Sequence, residues 1–590
     1  MAGRWPGRRC PVARAARWRG VPTTVGPMTS HDARVCAATR ASVAALFALG
    51  AGLRLLAIAN SSLTAVGNMP LPDDAFYYFA LARNLAAGGS LAISGNDVPT
   101  TGFQPLWAAV LAAVERLAGG FSGSERIVAA QLLGASFGLI AGWMIYRLGS
   151  RLSASRVPAV VAVGAYLLSP QIVKHNLNGM ETSLAIVALL VLLGLFASVN
   201  PVRLTPAKAL GLGAVTGLGL LARFDLGILA AIGASAWVGS TLRAGKPREL
   251  ARWAAPFGIG VVLALAPWLW VSRPAGLVPE SGQAVRNLTL LLNALPLRGP
   301  AEWLAEDPYG FASRHTGFAV EFTSAWVRQM PVLLPATLPV FAAFDLAAAE
   351  RISAGLGGFV AGALGWLAWR APAIRRVAVL ILTYAVGMTV AYAVFVLGPW
   401  FFQRYAAPVA VAVHLLLLCT MWDSLRDPRL RAVAAALAGV GIALGFSALV
   451  GWGSYRWIAV GPGAVPDDGF YRAARWVDSE WPEDSRIGAF SAGLLTYYAR
   501  PPVVALDGKI NGEARRAMAD GRMFEFLCRA RVDGIADWEK MIDRLLVQRS
   551  TAWREANLTR LTSIDVDDGN DILILRVERD HCPAESPAIP

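Results

Sequence analysis

Long apolar segments recur along most of the chain and dominate its hydropathy pattern. Each is close to the ~20 residues that an α-helix needs to cross about 30 Å of hydrocarbon. The pattern predicts membrane-spanning helices over eleven ranges: 41–59, 126–146, 157–171, 181–198, 208–222, 226–242, 253–271, 352–369, 377–397, 405–423 and 432–450. The chain is therefore predicted to be a polytopic α-helical membrane protein.

Two further apolar stretches, 105–119 and 331–348, carry charged residues and are ambiguous. Lys and Arg otherwise concentrate in short loops between apolar runs, and such loops tend to face the cytoplasm. If both stretches stay outside the membrane, the basic loops fall on one side together with the basic leader. We therefore predict about eleven crossings, with about thirteen as the alternative. Both counts are odd, so both place the carboxy-terminal tail on the outer side.

The chain divides into three predicted parts. Residues 1–40 hold eight arginines and one acid, which predicts a disordered cytoplasmic leader, with Met28 as an alternative start. Residues 41–451 are the membrane domain, with large outer loops at 60–125 and 272–351. Residues 452–590 are rich in charge and turn residues.

The tail alternates short apolar runs with helical patterns, which predicts a small α/β domain. The strand-like runs lie at 486–490, 503–506 and 572–577, and the helical patterns at 468–480 and 537–548. Cys528 and Cys582 both lie in this domain. They form a disulfide or stay as two free thiols, and an extracytoplasmic position would permit the disulfide.

The composition excludes several classes of protein. Apolar residues make up 55% of the 590 residues and charged residues only 16%, against roughly 25% charge in soluble domains. The net charge of +14 does not indicate nucleic-acid binding, because the basic residues are spread over the leader and many short loops. No Gly-Lys-Ser/Thr phosphate loop occurs in the sequence, so nothing supports ATP-driven transport.

The first outer loop contains the most unusual polar pattern. Asp73 and Asp74 begin a short aromatic-rich segment, and Thr101-Gly102-Phe103-Gln104-Pro105 follows later in the same loop. One acid at a helix start is explained by capping. A second acid, beside aromatic residues at the outer surface, is also suited to accept a proton from an attacking hydroxyl. Capping and catalysis both remain open on these residues alone.

This pattern resembles the first outer loop of bacterial GT-C glycosyltransferases. The resemblance rests on Asp-Asp-Ala-Phe-Tyr-Tyr, Ala-Arg-Asn-Leu-Ala and Thr-Gly-Phe-Gln-Pro-Leu-Trp, and it extends over about residues 41–515. Similar segments are Asn178–Thr182, Arg223–Asp225, Pro279–Gly282, Gln403–Tyr405 and Ala505–Asn511. The group includes protein mannosyltransferases, lipid A aminoarabinose transferases and mycobacterial arabinofuranosyltransferases, which take a sugar from a polyprenyl-phosphate carrier.

The resemblance implies roles for individual residues. An acid of the first loop acts as the base in this group, which implies Asp73 or Asp74; we favour Asp73, with Asp74 as its partner. Arg404 is the candidate ligand of the donor phosphate, because a guanidinium presents a planar fork to phosphate oxygens. Its alternative is an interfacial arginine whose aromatic neighbours anchor a helix end.

Four further residues are candidate substrate contacts. Arg223 and Asp225 lie between two apolar runs, where charges face a partner or a cavity, so they pair with each other or contact substrate. Glu181 follows Asn178-Gly179 and either begins a helix or binds substrate. His175 contacts phosphate or is an ordinary loop residue.

We therefore expect a GT-C-like integral enzyme of the bacterial plasma membrane with an extracytoplasmic tail. It would transfer a sugar from a polyprenyl-phosphate carrier, with inversion, to a glycan, lipid or protein of the cell envelope. Nothing in the sequence requires a metal, although a divalent ion beside the two acids stays open. The alternatives are a secondary transporter, which would show inverted repeats, and a noncatalytic envelope-assembly protein.

Overall fold

The computed structural model describes most of the chain. Apart from a few isolated residues and short pieces, the described ranges are 30–62, 71–93, 100–153, 155–272, 308–330, 345–370, 372–395, 402–425, 469–506, 510–539, 556–566 and 571–582. The leader before residue 30, most of 331–344 and most of the predicted span 432–450 lie outside them. So do 279–282, 396–401 and 507–509, all in or beside segments of the family resemblance.

Helices make up the described membrane part. They are α1 (Ser30–Ser62), α2 (Asp73–Ala86), α3 (Pro105–Leu117), α4 (Gly123–Leu152), α5 (Val157–Leu167), α6 (Pro170–Leu177), α7 (Thr182–Ser198), α8 (Pro206–Ala222), α9 (Leu226–Arg243), α10 (Pro247–Val271), α11 (Pro308–Arg328), α12 (Leu346–Arg370), α13 (Pro372–Phe395) and α14 (Phe402–Ser424). Proline at the first position of many of these helices fits the helix start, where its missing N–H has no intrahelical partner.

Six helices of the described residues are long and apolar enough to cross a membrane. They are segments of α1, α4, α9, α10, α13 and α14. A seventh crossing is formed if α5 and α6, which meet at a bend of 59°, act as one span. The predicted spans 181–198 and 208–222 become apolar helices of 17 residues each. The ambiguous stretch at 105 forms a helix of only 13 residues, about 20 Å long and too short to cross. The prediction of eleven crossings stays a prediction.

The tail is an α/β domain around a five-stranded mixed sheet. Its strands are β1 (Ile487–Ala489), β2 (Val503–Ala505), β3 (Gly534–Trp538), β4 (Leu558–Ile564) and β5 (Ile572–Val577), in the order β2-β1-β3-β5-β4. β1 pairs in parallel with β2 and β3, whereas β5 is antiparallel to β3 and β4. The helices are α15 (Gly469–Glu480), α16 (Ala492–Tyr498), α17 (Gly512–Ala519) and α18 (Met523–Arg529).

The three predicted strands and the helix at 468–480 are confirmed. The helix predicted at 537–548 is wrong at its start, because Asp537 and Trp538 belong to β3. The Asp537 side chain is fully buried within that strand. Its carboxylate accepts hydrogen bonds from the backbone N–H groups of Phe490 and Ser491, at 2.5 and 2.9 Å. The predicted helix thus began at an acid that lies in the sheet.

Cys528 and Cys582 form a disulfide, with their Cα atoms 5.7 Å apart. The bond ties the end of α18 to the segment that follows β5. The sequence left a disulfide and two free thiols open, and the structure has the disulfide. Such bonds persist in oxidising compartments.

Candidate active site

Helix α2 lies buried between the membrane helices and the tail. All eight residues from Ala75 to Ala82 are buried, and they share one apolar cluster with Trp107 and Trp268 of the membrane part and Phe470 and Leu495 of the tail. A short helix that is apolar around its circumference is stable only when it is covered on several sides. The two acids therefore begin a helix that both parts of the protein hold in place.

Asp74 and Arg404 form an ion pair, with 2.9 Å between Asp74 Oδ2 and Arg404 Nη2. Their side chains are 20% and 14% exposed, respectively. Arg404 Nη2 also lies 3.1 Å from the Tyr405 hydroxyl, and Nη1 lies 2.8 Å from Met180 Sδ. The structure thus joins two residues that are 330 positions apart and that the sequence selected separately.

Arg223, which is paired with Asp225, contacts the residue that follows Arg404 and so supports the same region. Arg223 Nε donates to Asp225 Oδ2 at 2.8 Å, and the Tyr392 hydroxyl donates to the same oxygen at 2.8 Å. Arg223 also donates to the backbone carbonyl of Tyr405 at 3.3 Å, and its guanidinium lies 4.6 Å from the centre of the Tyr405 ring. The predicted pairing of Arg223 with Asp225 is present. It also holds the backbone that presents Arg404.

Glu181 is bound by an aromatic residue of α2. The Tyr78 hydroxyl donates to Glu181 Oε2 at 3.0 Å and accepts a hydrogen bond from the backbone N–H of Gln104 at 2.9 Å. Gln104 Oε1 in turn accepts from the backbone N–H of Phe224 at 3.2 Å. Burial, and then the nearby Glu181 carboxylate, raise the pKa of Tyr78 well above its ordinary value. The hydroxyl therefore stays protonated and keeps donating.

A tight turn presents Glu181 and Met180 to this region. Gly179 has a φ of +72°, a conformation that favours glycine. Its carbonyl accepts a hydrogen bond from Trp107 Nε1 at 2.9 Å, and Asn178 Oδ1 accepts from the backbone N–H of Met180 at 3.0 Å. The Asn-Gly-Met-Glu segment is thus a structural turn packed against α2. His175 lies buried in α6, the helix that immediately precedes this turn.

Asp73 points toward the tail. Its Oδ1 accepts from the backbone N–H of Leu494 at 2.7 Å, and its Oδ2 accepts from that of Gly493 at 3.2 Å. The Tyr77 hydroxyl, one helical turn later, accepts from the backbone N–H of Ala492 at 2.9 Å. The two adjacent acids therefore have different partners: Asp74 has an arginine and Asp73 has backbone amides of α16.

Tyr77, Tyr78 and Gln104 are among the residues to which the sequence assigned no role and which the structure places in contact with the site. All three lie in the first-loop motif, and two tyrosines beside two acids at a helix spacing were the available signal. Among the described residues, no group of three or more His, Cys, Asp or Glu side chains could hold a metal ion.

This chain is similar to known proteins in its fold. No protein-family model matches the chain, and no curated protein matches it in sequence. The structure resembles an oligosaccharyltransferase of Archaeoglobus fulgidus at a TM-score of 0.53 and 15% identity, covering 86% of this chain and 71% of that one. It also resembles ArnT of Cupriavidus metallidurans, solved with bound undecaprenyl phosphate, at a TM-score of 0.51 and 14% identity; 92% of this chain and 99% of that one are covered. The chain therefore has the fold of the GT-C membrane glycosyltransferases, as the first-loop motif predicts.

Proposed function

We propose that this protein is a glycosyltransferase of the bacterial plasma membrane that takes a sugar from a polyprenyl-phosphate carrier. The acceptor is a glycan, lipid or protein of the cell envelope, and transfer takes place at the outer face. The single observation that carries the proposal is the ion pair of Asp74 with Arg404 at the junction of the first outer loop and helix α14. The fold shared with an undecaprenyl-phosphate-bound transferase supports the choice of donor.

The pair contains both groups that the reaction needs. The acceptor oxygen forms a bond to the anomeric carbon while the bond from that carbon to the phosphate oxygen breaks. The phosphate leaves with the electron pair, and a carboxylate takes the hydroxyl proton. One displacement of this kind inverts the anomeric centre. Arg404 stabilises the negative charge on the departing phosphate. In the structure, Arg404 is paired with the Asp74 carboxylate.

Asp74 is the better placed of the two acids to act as the base. Its carboxylate is bound to a cation that a donor phosphate would also attract, so the arrival of phosphate would leave Asp74 available for the acceptor hydroxyl. The sequence favoured Asp73, which instead accepts two backbone N–H bonds. We propose Asp74 as the base.

The other candidates take supporting roles in this proposal. Arg223 and Asp225 hold the backbone at Arg404 and Tyr405. Glu181 accepts a hydrogen bond from the Tyr78 hydroxyl and interacts electrostatically with Arg404, so we propose that it binds a hydroxyl of the sugar. His175 remains a proposed contact of the substrate.

Two features support an outer position for the tail. The disulfide between Cys528 and Cys582 is typical of a compartment more oxidising than the cytoplasm. The basic loops between apolar segments are typical of the cytoplasmic side. An enzyme that uses a lipid-linked donor there needs no soluble nucleotide, in agreement with the absence of a phosphate loop from the sequence.

The experiment measures sugar transfer in membranes supplied with a panel of radiolabelled polyprenyl-phosphate sugars and extracted acceptors. Wild-type protein is compared with Asp74→Asn and Arg404→Gln. The controls are Asp484→Asn and Arg376→Gln, whose side chains are exposed and outside the site. We expect transfer by wild type and both controls, and a loss of roughly 10²–10⁴-fold in Asp74→Asn at equal abundance.

Other outcomes separate the alternatives. Uptake of a solute without formation of a glycosidic bond would favour a transporter. Restoration of envelope assembly by Asp74→Asn would favour a noncatalytic assembly protein. Failure of every donor with every extracted acceptor would refute the proposed reaction.

A further inference from the structure

The first turn of helix α16 receives its capping groups from a different part of the chain. The first N–H groups of any α-helix have no intrahelical partner. Ser491 precedes α16, yet its side chain makes no capping bond. The N–H of Ala492 instead bonds to the Tyr77 hydroxyl, and those of Gly493 and Leu494 bond to the Asp73 carboxylate. More than 400 residues separate the two helices.

The approach of the two helices is close. A Cβ atom on Gly493 would collide with the Asp73 backbone carbonyl and lie 2.8 Å from Asp73 Oδ1. No side chain fits at position 493 unless the two helices move apart. The glycine therefore belongs to the contact between tail and loop.

Aromatic packing extends the contact along α16. The Phe76 ring lies 5.3 Å from that of Tyr497 and 5.8 Å from that of Tyr498, measured between ring centres. The Tyr497 hydroxyl donates to the Gly123 carbonyl at 2.6 Å and receives a bond from Arg126 at 3.1 Å. The tail is thus attached to α2 and to the start of α4 at the same time.

We infer that Asp73 is a positioning residue and that the tail is a structural part of the active site. The amides of α16 fix the Asp73 carboxylate, and the next residue along the helix, Asp74, is thereby turned toward Arg404. Because Asp73 is held at the start of α2 by the N–H groups of α16, the first turn of α2 cannot rotate about its axis. This inference rests on the proposed glycosyl transfer, in which Asp74 is the base.

The test compares Asp73→Asn, Asp73→Ala and Gly493→Ala. Asparagine retains one acceptor oxygen for the Leu494 N–H, alanine retains none, and the third variant separates the helices without changing the acid. We expect kcat to fall less than about tenfold in Asp73→Asn and about 100-fold in the other two. The acidic limb of the kcat–pH profile should be unchanged in Asp73→Asn. Gly211→Ala, where a Cβ meets nothing within 4 Å, is the glycine control.

A second measurement follows the contact itself. Hydrogen–deuterium exchange of a peptide covering 486–499 should be faster in Asp73→Ala and Gly493→Ala than in wild type, and close to wild type in Asp73→Asn. This readout does not depend on activity. If exchange changes as expected but no donor supports transfer by wild type, the proposed function fails while the docking contact stands.

Two results would overturn the inference. If Asp73→Asn is as inactive as Asp73→Ala, and its exchange equals that of wild type, Asp73 is the base and not a positioning residue. If Gly493→Ala has wild-type kcat and wild-type exchange, α16 does not set the position of the acids.

Discussion

The two sides of helix α2 show how one short helix carries two kinds of interaction. Asp73 and Tyr77, four residues apart, contact the backbone of the tail. Asp74 and Tyr78, also four residues apart, contact the charged side chains Arg404 and Glu181. Residues at this spacing lie above one another on a helix surface. Adjacent acids therefore have different kinds of partner: Asp73 binds neutral amides, and Asp74 binds a charged side chain.

The two sides of α2 are suited to different tasks. A carboxylate bound to backbone N–H groups keeps these partners as long as the protein is folded. A carboxylate bound to a partly exposed arginine can be replaced by another anion, and a phosphate competes well for a guanidinium. Substitutions on the arginine side should therefore change the chemical step most, and substitutions on the tail side should act through docking.

After Asp74→Asn, the largest effect is expected from Arg404→Gln, which removes the cation proposed to receive the leaving phosphate. Removal of one such electrostatic contact typically costs about 10²–10³-fold in rate. Arg404→Lys keeps the charge without the planar fork and should recover part of the loss. The measurement is kcat at saturating lipid-linked donor, with the amount of protein in the membrane determined by immunoblot. A wild-type kcat in Arg404→Gln would remove Arg404 from the proposed mechanism.

Tyr78→Phe should have the next largest effect. It removes the donor to Glu181 and leaves that buried carboxylate and the Gln104 N–H each one bond short, at a cost of about 1–3 kcal/mol per group. We expect transfer to fall by roughly 10- to 100-fold, whereas Tyr146→Phe, in α4 away from the site, should have no effect. Equal activity of Tyr78→Phe and wild type would mean that Glu181 does not need this hydrogen bond.

The same tyrosine gives a pH prediction. Burial and Glu181 raise its pKa above the ordinary value of about 10, so the folded protein favours the protonated form. The contribution of Tyr78 to stability is complete below pH about 10 and is lost as pH rises toward its folded pKa. Thermal unfolding measured from pH 7 to 11 should show a loss of stability above pH 10 that is smaller in Tyr78→Phe. A decline centred near pH 8 would assign the effect to another group.

A smaller effect is expected from Tyr497→Phe on the tail side. The change removes one hydrogen bond to the Gly123 carbonyl and one from Arg126, each contributing about 1 kcal/mol. Ring packing against Phe76 is kept. Transfer should fall only a few fold, and exchange of the amides at 492–494 should rise modestly. A 100-fold loss of kcat without faster exchange would show that this tyrosine acts directly on substrate.

The smallest change in transfer is expected from Cys528→Ser. Its disulfide closes a loop of 54 residues, and removal of such a bond costs about 4 kcal/mol of stability in the chain-entropy model. The bond lies away from α2, so kcat at low temperature should be unchanged while the melting temperature of the tail falls. A lower kcat at 10 °C would indicate that the sheet transmits strain to α16.

The sequence predicted the parts of the fold that depend on repeated hydrophobic patterns. Spans such as 226–242 and 405–423, and the strand at 572–577, follow from the burial of long apolar runs. Asp74 and Arg404 were selected from their residue types and positions together with the resemblance of the first loop to GT-C glycosyltransferases. The helix proposed from residue 537 failed because the buried Asp537 looks like a surface residue until its amide partners are known.

The partner of Asp73 could not have been predicted. The groups that it binds are the N–H groups of Gly493 and Leu494, and backbone amides are present at nearly every position. Only the approach of two distant helices selects them. The glycine that permits the approach is one of 58 in the chain, and nothing in its neighbours distinguishes it.

The capping of α16 by α2 also orders the events of biosynthesis. Asp73 and Leu494 are 421 residues apart, so at about 5–20 residues per second the first loop is made roughly 20 to 80 seconds before its partner. During that interval the acid and Tyr77 are hydrated, and the apolar surface of α2 that later meets the tail is uncovered. The tail, which is made later, therefore closes the first loop, and a nascent protein that stops before Leu494 carries an incomplete site.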